Sequence, residues 1–236
     1  MSSSPSGAAS APRAGDERGA NGQAVADTGP LRSFRVCLVD MNQGHANQAM
    51  RCFRSIVGSF FERIREHTGC RVMKALRVRE ALPQVRCELV QVSPRDTFDP
   101  IPRDCDVYIG SGGPGSPYDG DDDPWFADFA GLVDEIVASA KGPPAGQKAM
   151  FGVCYTFEVL VRHFGVAAVS TRDTRKFGVM PIYTTPAGQG HPLLAPFGDR
   201  LFAFEHRNWE AVDLDEDKLA QLGGQLLARE SRDGYS

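Results

Sequence analysis

Short apolar runs alternate with segments of helical periodicity through much of this chain, and this alternation limits the folds it can adopt. The first run, residues 34–40, is bounded by turn-forming residues and predicts a strand buried on both faces. Further strand-like runs lie at 88–92, 105–109 and 148–153. Strands that alternate with helices imply right-handed crossovers and a mainly parallel sheet. The pattern therefore predicts an α/β protein.

Two of the intervening segments carry apolar residues at three- and four-residue steps, which predicts one apolar face on each of two long helices. Their members are Ala49, Met50, Phe53, Ile56, Val57, Phe60, Phe61 and Ile64 in the first, and Trp125, Phe126, Phe129, Leu132, Val133, Ile136 and Val137 in the second. Pro124 suits the first turn of the second helix, and a third helix is predicted over 158–164.

The two ends of the chain differ from this middle part. Residues 1–33 are rich in Ser, Ala, Gly and Pro, which predicts a disordered N-terminal tail before a single domain over 34–236. From Ala167 onward the pattern predicts only short β-like pieces, at 178–184, 201–204 and 225–227.

Composition excludes several classes of function. A formal net charge of −4 with both signs mixed along the chain gives no electrostatic footprint for nucleic acid. No stretch approaches the roughly 20 apolar residues of a membrane span. The six cysteines include no Cys-x-x-Cys pair, so we expect no metal site, no cofactor and reduced thiols in a cytoplasmic protein.

Cys154 stands where an apolar run breaks at Gly152 and continues into the third helical pattern. Such a strand-to-helix elbow pushes a side chain out of the sheet and points the N-terminal N–H groups of the helix toward it. We expect this setting to favour the thiolate and to make Cys154 a nucleophile.

A glycine-rich loop, Gly110 to Ser116, directly follows the strand-like run at 105–109. Glycines allow backbone N–H groups to turn into a pocket at the carboxyl edge of a sheet, although many loops of this kind have no such role. No lysine follows as in a phosphate-binding loop of an NTPase.

Taken together, the glycine-rich loop and the Cys154 elbow resemble the class I glutamine amidotransferases. The sequence Gly152-Val153-Cys154-Tyr155 is especially similar to the amidotransferase domain of GMP synthase. The resemblance implies a three-layer flavodoxin-like sheet with helices on both faces. It also implies hydrolysis of glutamine through a cysteine thioester, with ammonia passed to an acceptor synthetase domain or subunit.

The same resemblance assigns roles to individual residues. Cys154 is the nucleophile, and the N–H groups of Gly113 and Tyr155 form the oxyanion hole. Glu158 and Gly112 contribute to the glutamine pocket. His206 lies in a segment that lines this pocket in the family, which implies a binding role rather than catalysis.

Two departures from the family pattern leave alternatives open. Thr156 stands where the family has glycine, and no His-x-Glu sequence follows Cys154 to supply the family's base. We therefore expect a sheet that is incomplete at its C-terminal end, from a truncated chain or a natural pseudoenzyme. A catalytically inactive binding or regulatory module and a γ-glutamyl hydrolase-like enzyme remain alternatives to the amidotransferase.

Overall fold

The computed structural model describes residues 32–68 and 85–232. The predicted disordered tail, up to residue 31, lies outside the described residues, as does Cys70. The first strand begins at Arg32.

Four parallel strands form the main sheet. They are β1 (Arg32–Val39), β2 (Val85–Val92), β3 (Val107–Gly110) and β4 (Ala149–Gly152), in the order β2-β1-β3-β4. Because all four run in the same direction, the residues that follow β1, β3 and β4 meet at one edge of the sheet. The register pairs Gly110 with Gly152, the last residues of β3 and β4.

Six α-helices lie in the described part of the chain, between the strands or after them. They are α1 (Gln48–Thr68), α2 (Pro94–Thr97), α3 (Pro124–Ala140), α4 (Tyr155–Phe164), α5 (Pro186–Gly190) and α6 (Glu216–Gln221). Pro124 occupies the first turn of α3, as its sequence position predicted. Gly165 ends α4 in the left-handed conformation, with φ of 59°.

Helices cover both faces of the parallel sheet, so the predicted three-layer α/β architecture is confirmed. Val36 and Leu38 of β1 face α1, where Met50, Val57 and Phe61 are buried. The alternate residues of β1 face the other way, toward α3 and α4; this second core contains Cys37, Val39, Tyr108, Trp125, Phe129, Leu132, Tyr155 and Val159. The β-strand period of two thus divides β1 between two cores.

A separate antiparallel sheet follows α4. It contains β5 (Ala168–Thr184), β6 (Arg200–Val212) and β7 (Ala228–Arg229), in the order β6-β5-β7. The expectation of short pieces was wrong, because β5 and β6 are long strands that pair along most of their length. Residues 172–175 form an irregularity in the pairing of β5, and in β6 the apolar run 201–204 is followed by Glu205 and Arg207, so the sequence pattern shows only part of each strand. The last strand also lies at 228–229 and not at 225–227.

A third apolar cluster joins α4 to the antiparallel sheet. Val161, Val166 and Val169 are buried in it, with Trp209 and Ala211 of β6 packed against them. This packing places β6 against α4. Among the described residues, no helix combines the length and apolarity that crossing a membrane requires.

Candidate functional site

Cys154 lies on a strained turn between β4 and α4. Its φ of 51° and ψ of −111° are a conformation that L-residues rarely adopt, and such strain costs about 1–3 kcal/mol. Backbone hydrogen bonds fix both sides of the turn: the Val153 N–H donates to Gly110 O at 3.0 Å and the Glu158 N–H to Cys154 O at 2.9 Å. The chain therefore holds Cys154 at the carboxyl edge of the sheet in the elbow predicted from the sequence.

Thr156, the departure from the family pattern, is accommodated by two glycines. Its side chain is fully buried, and its hydroxyl donates to Ser111 O at 2.7 Å. A Cβ at Gly110 would lie 2.4 Å from Thr156 Cγ2, and one at Gly152 would lie 3.1 Å from the same methyl. Glycine at these two strand ends leaves the space that the threonine fills.

The glycine-rich loop passes directly beside Cys154. A Cβ at Gly112 would lie 3.2 Å from Cys154 Cβ and 3.8 Å from Cys154 Sγ. At Gly113 a Cβ would come within 2.1 Å of Met41 O. The close approach of the loop on both sides requires the absence of side chains, which accounts for the glycine pair.

Ser111 connects this loop to the end of β1. Its buried hydroxyl accepts from the Met41 N–H at 2.9 Å and from Asn42 Nδ2 at 3.2 Å. Asn42 is itself held by Asp40 Oδ1, which accepts from the Asn42 backbone N–H at 3.1 Å. The loops after β1 and β3 thus form one hydrogen-bonded unit beside the elbow.

Arg95 lies in α2, the short helix after β2, and its side chain extends to the loops after β1 and β3. It is 6% exposed, and its Nη1 donates to Met41 O at 2.8 Å and to Pro114 O at 3.0 Å. Its guanidinium carbon lies 3.9 Å from the centroid of the Tyr155 ring. Nothing in the local sequence singled out Arg95, because its three partners are far from it in the chain.

The thiolate expectation for Cys154 is wrong. Burial raises the pKa of the thiol above its usual 9.0, and the nearby Glu158 carboxylate raises it further. The Tyr155 N–H donates to the sulfur and lowers the pKa, but this donor and Arg207 do not outweigh burial. The N–H group at the N-terminus of α4 lowers the pKa of Cys154, as the sequence predicted, but the loss of hydration on burial raises this pKa by more.

Glu158 is also shifted. It is 4% exposed, and burial raises its pKa to about 7, with Arg207 acting in the opposite direction. A carboxyl group with this pKa exchanges its proton near neutral pH, one helical turn after the Cys154 elbow.

Strand β6 presents Glu205 and Arg207 to the interior and His206 to the exterior. Glu205 is buried and pairs with Arg207, and both act electrostatically on Cys154. The exposed His206 ring lies 5.4 Å from the ring of Phe177. Because successive strand side chains point to opposite faces, His206 lies on the other side of β6 from Arg207.

A cluster of charges surrounds Glu230, directly after β7. Its carboxylate pairs with Arg172 and Lys176 of β5 and with Arg207 of β6. Burial alone would raise the pKa of Glu230, but Lys176, Arg207 and Arg172 together lower it to about 2. The cluster fixes the position of Arg207. Local sequence patterns do not reveal this cluster, because its members are distant along the chain.

The remaining histidines with described side chains are engaged or distant in sequence from the elbow. His163, in the last turn of α4, lies 2.8 Å from Asp134 Oδ1 through its Nε2. The Nδ1 of His191 accepts from the Leu193 N–H at 3.3 Å. In the described part of the chain, no histidine is among the groups that shift the pKa of Cys154.

Solved structures that match this chain include glutamine amidotransferase domains, so the resemblance inferred from the sequence is confirmed at the level of the fold. In particular, the chain superposes on the glutaminase domain of Trypanosoma brucei CTPS, solved with bound acivicin, with a TM-score of 0.51 and 15% identity. The match covers 86% of this chain and 77% of that domain.

Two other solved structures also match the chain. A glutamine amidotransferase of Thermotoga maritima matches with 13% identity and a TM-score of 0.47, over 77% of this chain and 63% of that one. A protein described as a GMP synthase subunit from Thermoplasma acidophilum matches with 15% identity and a TM-score of 0.45, over 78% and 69%. No family model and no curated protein sequence matches the chain. At these identities the likeness concerns the fold and not the activity.

Proposed function

We propose that this chain binds L-glutamine and hydrolyses its side-chain amide through a thioester on Cys154. The observation that carries the proposal is the strained Cys154 elbow beside the close-packed Gly112–Gly113 loop. Acyl transfer requires a nucleophile and, next to it, N–H groups that can donate to the developing oxyanion, and a glycine-rich loop beside Cys154 can supply such backbone groups.

In the proposed reaction, the deprotonated Cys154 sulfur attacks the amide carbon. The carbonyl oxygen takes up the negative charge and accepts from the N–H groups of Gly113 and Tyr155. The C–N bond then breaks, and the nitrogen leaves as ammonia with an added proton. Water attacks the thioester, releases glutamate and restores the thiol.

Charges on α4 and β6 fit the amino-acid end of glutamine. In this proposal Glu158 accepts from the α-ammonium group, and Arg207, the cation that acts on both Glu158 and Cys154, pairs with the α-carboxylate. A guanidinium pairs well with an α-carboxylate. Gly112, which lies beside the Cys154 sulfur, would contribute to the wall of the glutamine pocket. His206 lies on the outer face of β6, so it can contact the substrate or a partner only if that molecule extends to this face.

Removal of the thiol proton is the difficult step in this site. Cys154 has a raised pKa, and the titratable acids that act on it are Glu158 and Glu205. General acid–base catalysis contributes about 10²–10⁴-fold in enzymes. We therefore expect slow turnover of glutamine by this chain alone. Of the acids that act on Cys154, Glu158 is the one whose pKa is raised to about 7.

We further propose that the ammonia passes to an acceptor-activating synthetase, present as another domain or as a separate protein. The GMP-synthase-like context rests on the sequence Gly152-Val153-Cys154-Tyr155. The raised pKa of Cys154 favours one second candidate, an inactive amidotransferase-like module that binds glutamine or a partner without turnover.

Glutamate release from L-glutamine, with asparagine as the control substrate, separates these functions. We expect slow release that is abolished in Cys154→Ala and reduced at least about tenfold in Arg207→Met. Arg86→Met, at an exposed arginine of β2 that pairs with Glu88, is the matched control and is expected to retain activity. Release that persists in Cys154→Ala contradicts the thioester mechanism, and binding without release identifies the inactive module.

A further inference from the structure

Arg95 makes no contact with the Cys154 sulfur among its described bonds, yet it joins the two segments that carry the proposed oxyanion donors. Through Pro114 O it holds the glycine-rich loop, 3.0 Å from Nη1. The face of its guanidinium group stacks on the Tyr155 ring, and the guanidinium carbon lies 3.9 Å from the ring centroid. Gly113 lies in the loop after β3 and Tyr155 begins α4, so their relative position depends on connections such as this one and the Thr156–Ser111 hydrogen bond.

A third contact restricts Gly113 itself. Met41 O accepts from Arg95 Nη1 at 2.8 Å, and the same carbonyl oxygen lies 2.1 Å from the place a Cβ would occupy at Gly113. Arg95 Nη1 lies 3.0 Å from that place. Gly113 is therefore confined between the end of β1 and the guanidinium, with little freedom to move away from Tyr155.

The chemistry of these contacts is specific to arginine. Its planar guanidinium donates in two directions in its plane and stacks on an aromatic ring with its face, which a lysine ammonium does not do. The hydrogen bonds described for Arg95 go to carbonyl oxygens, and burial lowers its pKa. Burying a cation without a directly bonded carboxylate is costly, so stability alone is a poor reason for its presence.

We propose that Arg95 is a positioning residue that sets the distance between the Gly113 and Tyr155 N–H groups, and so forms the oxyanion site. This inference rests on the proposed thioester chemistry. Its distinguishing property is that Arg95 affects reactions that pass through an oxyanion and leaves direct alkylation of the same sulfur unchanged.

Two reagents separate these reactions at Cys154. p-Nitrophenyl acetate acylates a thiolate through a tetrahedral oxyanion: the S–C bond forms, the C–O bond breaks and p-nitrophenolate leaves. Iodoacetamide alkylates the same thiolate by displacing iodide, with no oxyanion. A Cys52→Ser background removes an exposed thiol, and mass spectrometry of the Cys154 peptide gives both rates. The ratio of the two rates cancels any change in thiol pKa or access that affects both reactions equally.

We expect Arg95→Met to lower the ratio of acylation to alkylation about tenfold or more, and Arg95→Lys to lower it at least about threefold, since loss of an oxyanion donor costs roughly 10²–10³-fold. Arg162→Met is the matched control. Arg162 also stacks on a tyrosine, with its guanidinium carbon 3.9 Å from the Tyr118 ring centroid, and donates to the Pro117 carbonyl, but it bonds neither Met41 nor Pro114. Its ratio should stay within about twofold of the parent.

A ratio within about twofold of the parent in both Arg95 variants overturns the proposal. So does a parent whose Cys154 is acylated no faster, relative to alkylation, than in the unfolded chain, because no oxyanion site then exists. If Arg95→Met does not fold, Arg95→Lys decides. Neither reagent is glutamine, so the two proposals can fail separately. If the protein does not hydrolyse or bind glutamine but the ratio of rates still depends on Arg95, the oxyanion site is present and only the proposed substrate is rejected.

Discussion

The Thr156 hydroxyl donates to the Ser111 carbonyl oxygen at 2.7 Å, which binds the first turn of α4 to the loop after β3. Both residues are fully buried. The Cys154 elbow and the glycine-rich loop are therefore joined by a buried hydrogen bond, and a threonine makes the connection where the resembled family has glycine. Gly110, at the end of β3, provides the space.

Gly110→Ala should destabilise the protein by about 1–3 kcal/mol, because the new methyl must displace Thr156 from a closely packed site. A Cβ there would lie 2.4 Å from Thr156 Cγ2 and 2.6 Å from Thr156 Oγ1. Urea unfolding measures the change. Gly146→Ala is the control, since a Cβ at Gly146 meets nothing within 4 Å.

Combining Gly110→Ala with Thr156→Gly tests whether this contact is the cause. We expect the double variant to be more stable than the sum of the two single effects, by about 0.5–3 kcal/mol. Strict additivity would show that Gly110 is required for another reason.

Stability should depend on pH through Glu158. Its pKa is raised by burial from 4.5 to about 7, so the folded protein holds this proton more tightly than the unfolded chain. The corresponding stability is present below pH 4.5 and is lost once the pH has risen through about 7. Glu158→Gln removes this dependence, and at pH 8 it should be more stable than the parent by about 1–3 kcal/mol. Identical pH profiles of unfolding would contradict the assignment.

The opposite dependence is expected for Glu230. Its pKa falls from 4.5 to about 2 despite burial, because of Lys176, Arg207 and Arg172. The stability it contributes is present above pH 4.5 and lost as the pH falls through about 2. Glu230→Gln should lower the free energy of unfolding by about 3 kcal/mol at pH 7 and by little near pH 2. Glu216→Gln is the control, since Glu216 pairs with Arg229 at 3.0 Å in an exposed site.

Alkylation of Cys154 should also respond to Glu158. Burial and the Glu158 carboxylate raise the pKa of the thiol above 9.0. The pH midpoint for iodoacetamide modification of Cys154 should therefore lie above 9.0 in the parent and move lower in Glu158→Gln. A midpoint below about 8 in the parent would restore the view that the helix N-terminus controls the thiol.

Local patterns predicted the parallel sheet and the Cys154 elbow because both depend on neighbours in sequence. Val36 to Val39 form a continuous apolar run, and Gly152 marks the turn before α4. The antiparallel strands were not predicted as long elements, since Glu205 and Arg207 are buried as an ion pair and break the apolar pattern. The raised pKa of Cys154 and the role of Arg95 depend on burial and on contacts between distant loops, which one sequence does not reveal.

Covalent labelling by a chloromethyl ketone analogue of glutamine tests the central claim most directly, because it requires the pocket and the nucleophile but not rapid turnover. We expect the L-analogue to modify Cys154 at least about tenfold faster than the D-analogue, since in the proposed site Glu158 and Arg207 hold the amino-acid end. L-glutamine should protect Cys154, and Arg207→Met should remove the stereoselectivity while the control Arg86→Met keeps it. Equal labelling by the L- and D-analogues, without protection by L-glutamine, would contradict the account and show that Cys154 is not a glutamine-directed nucleophile.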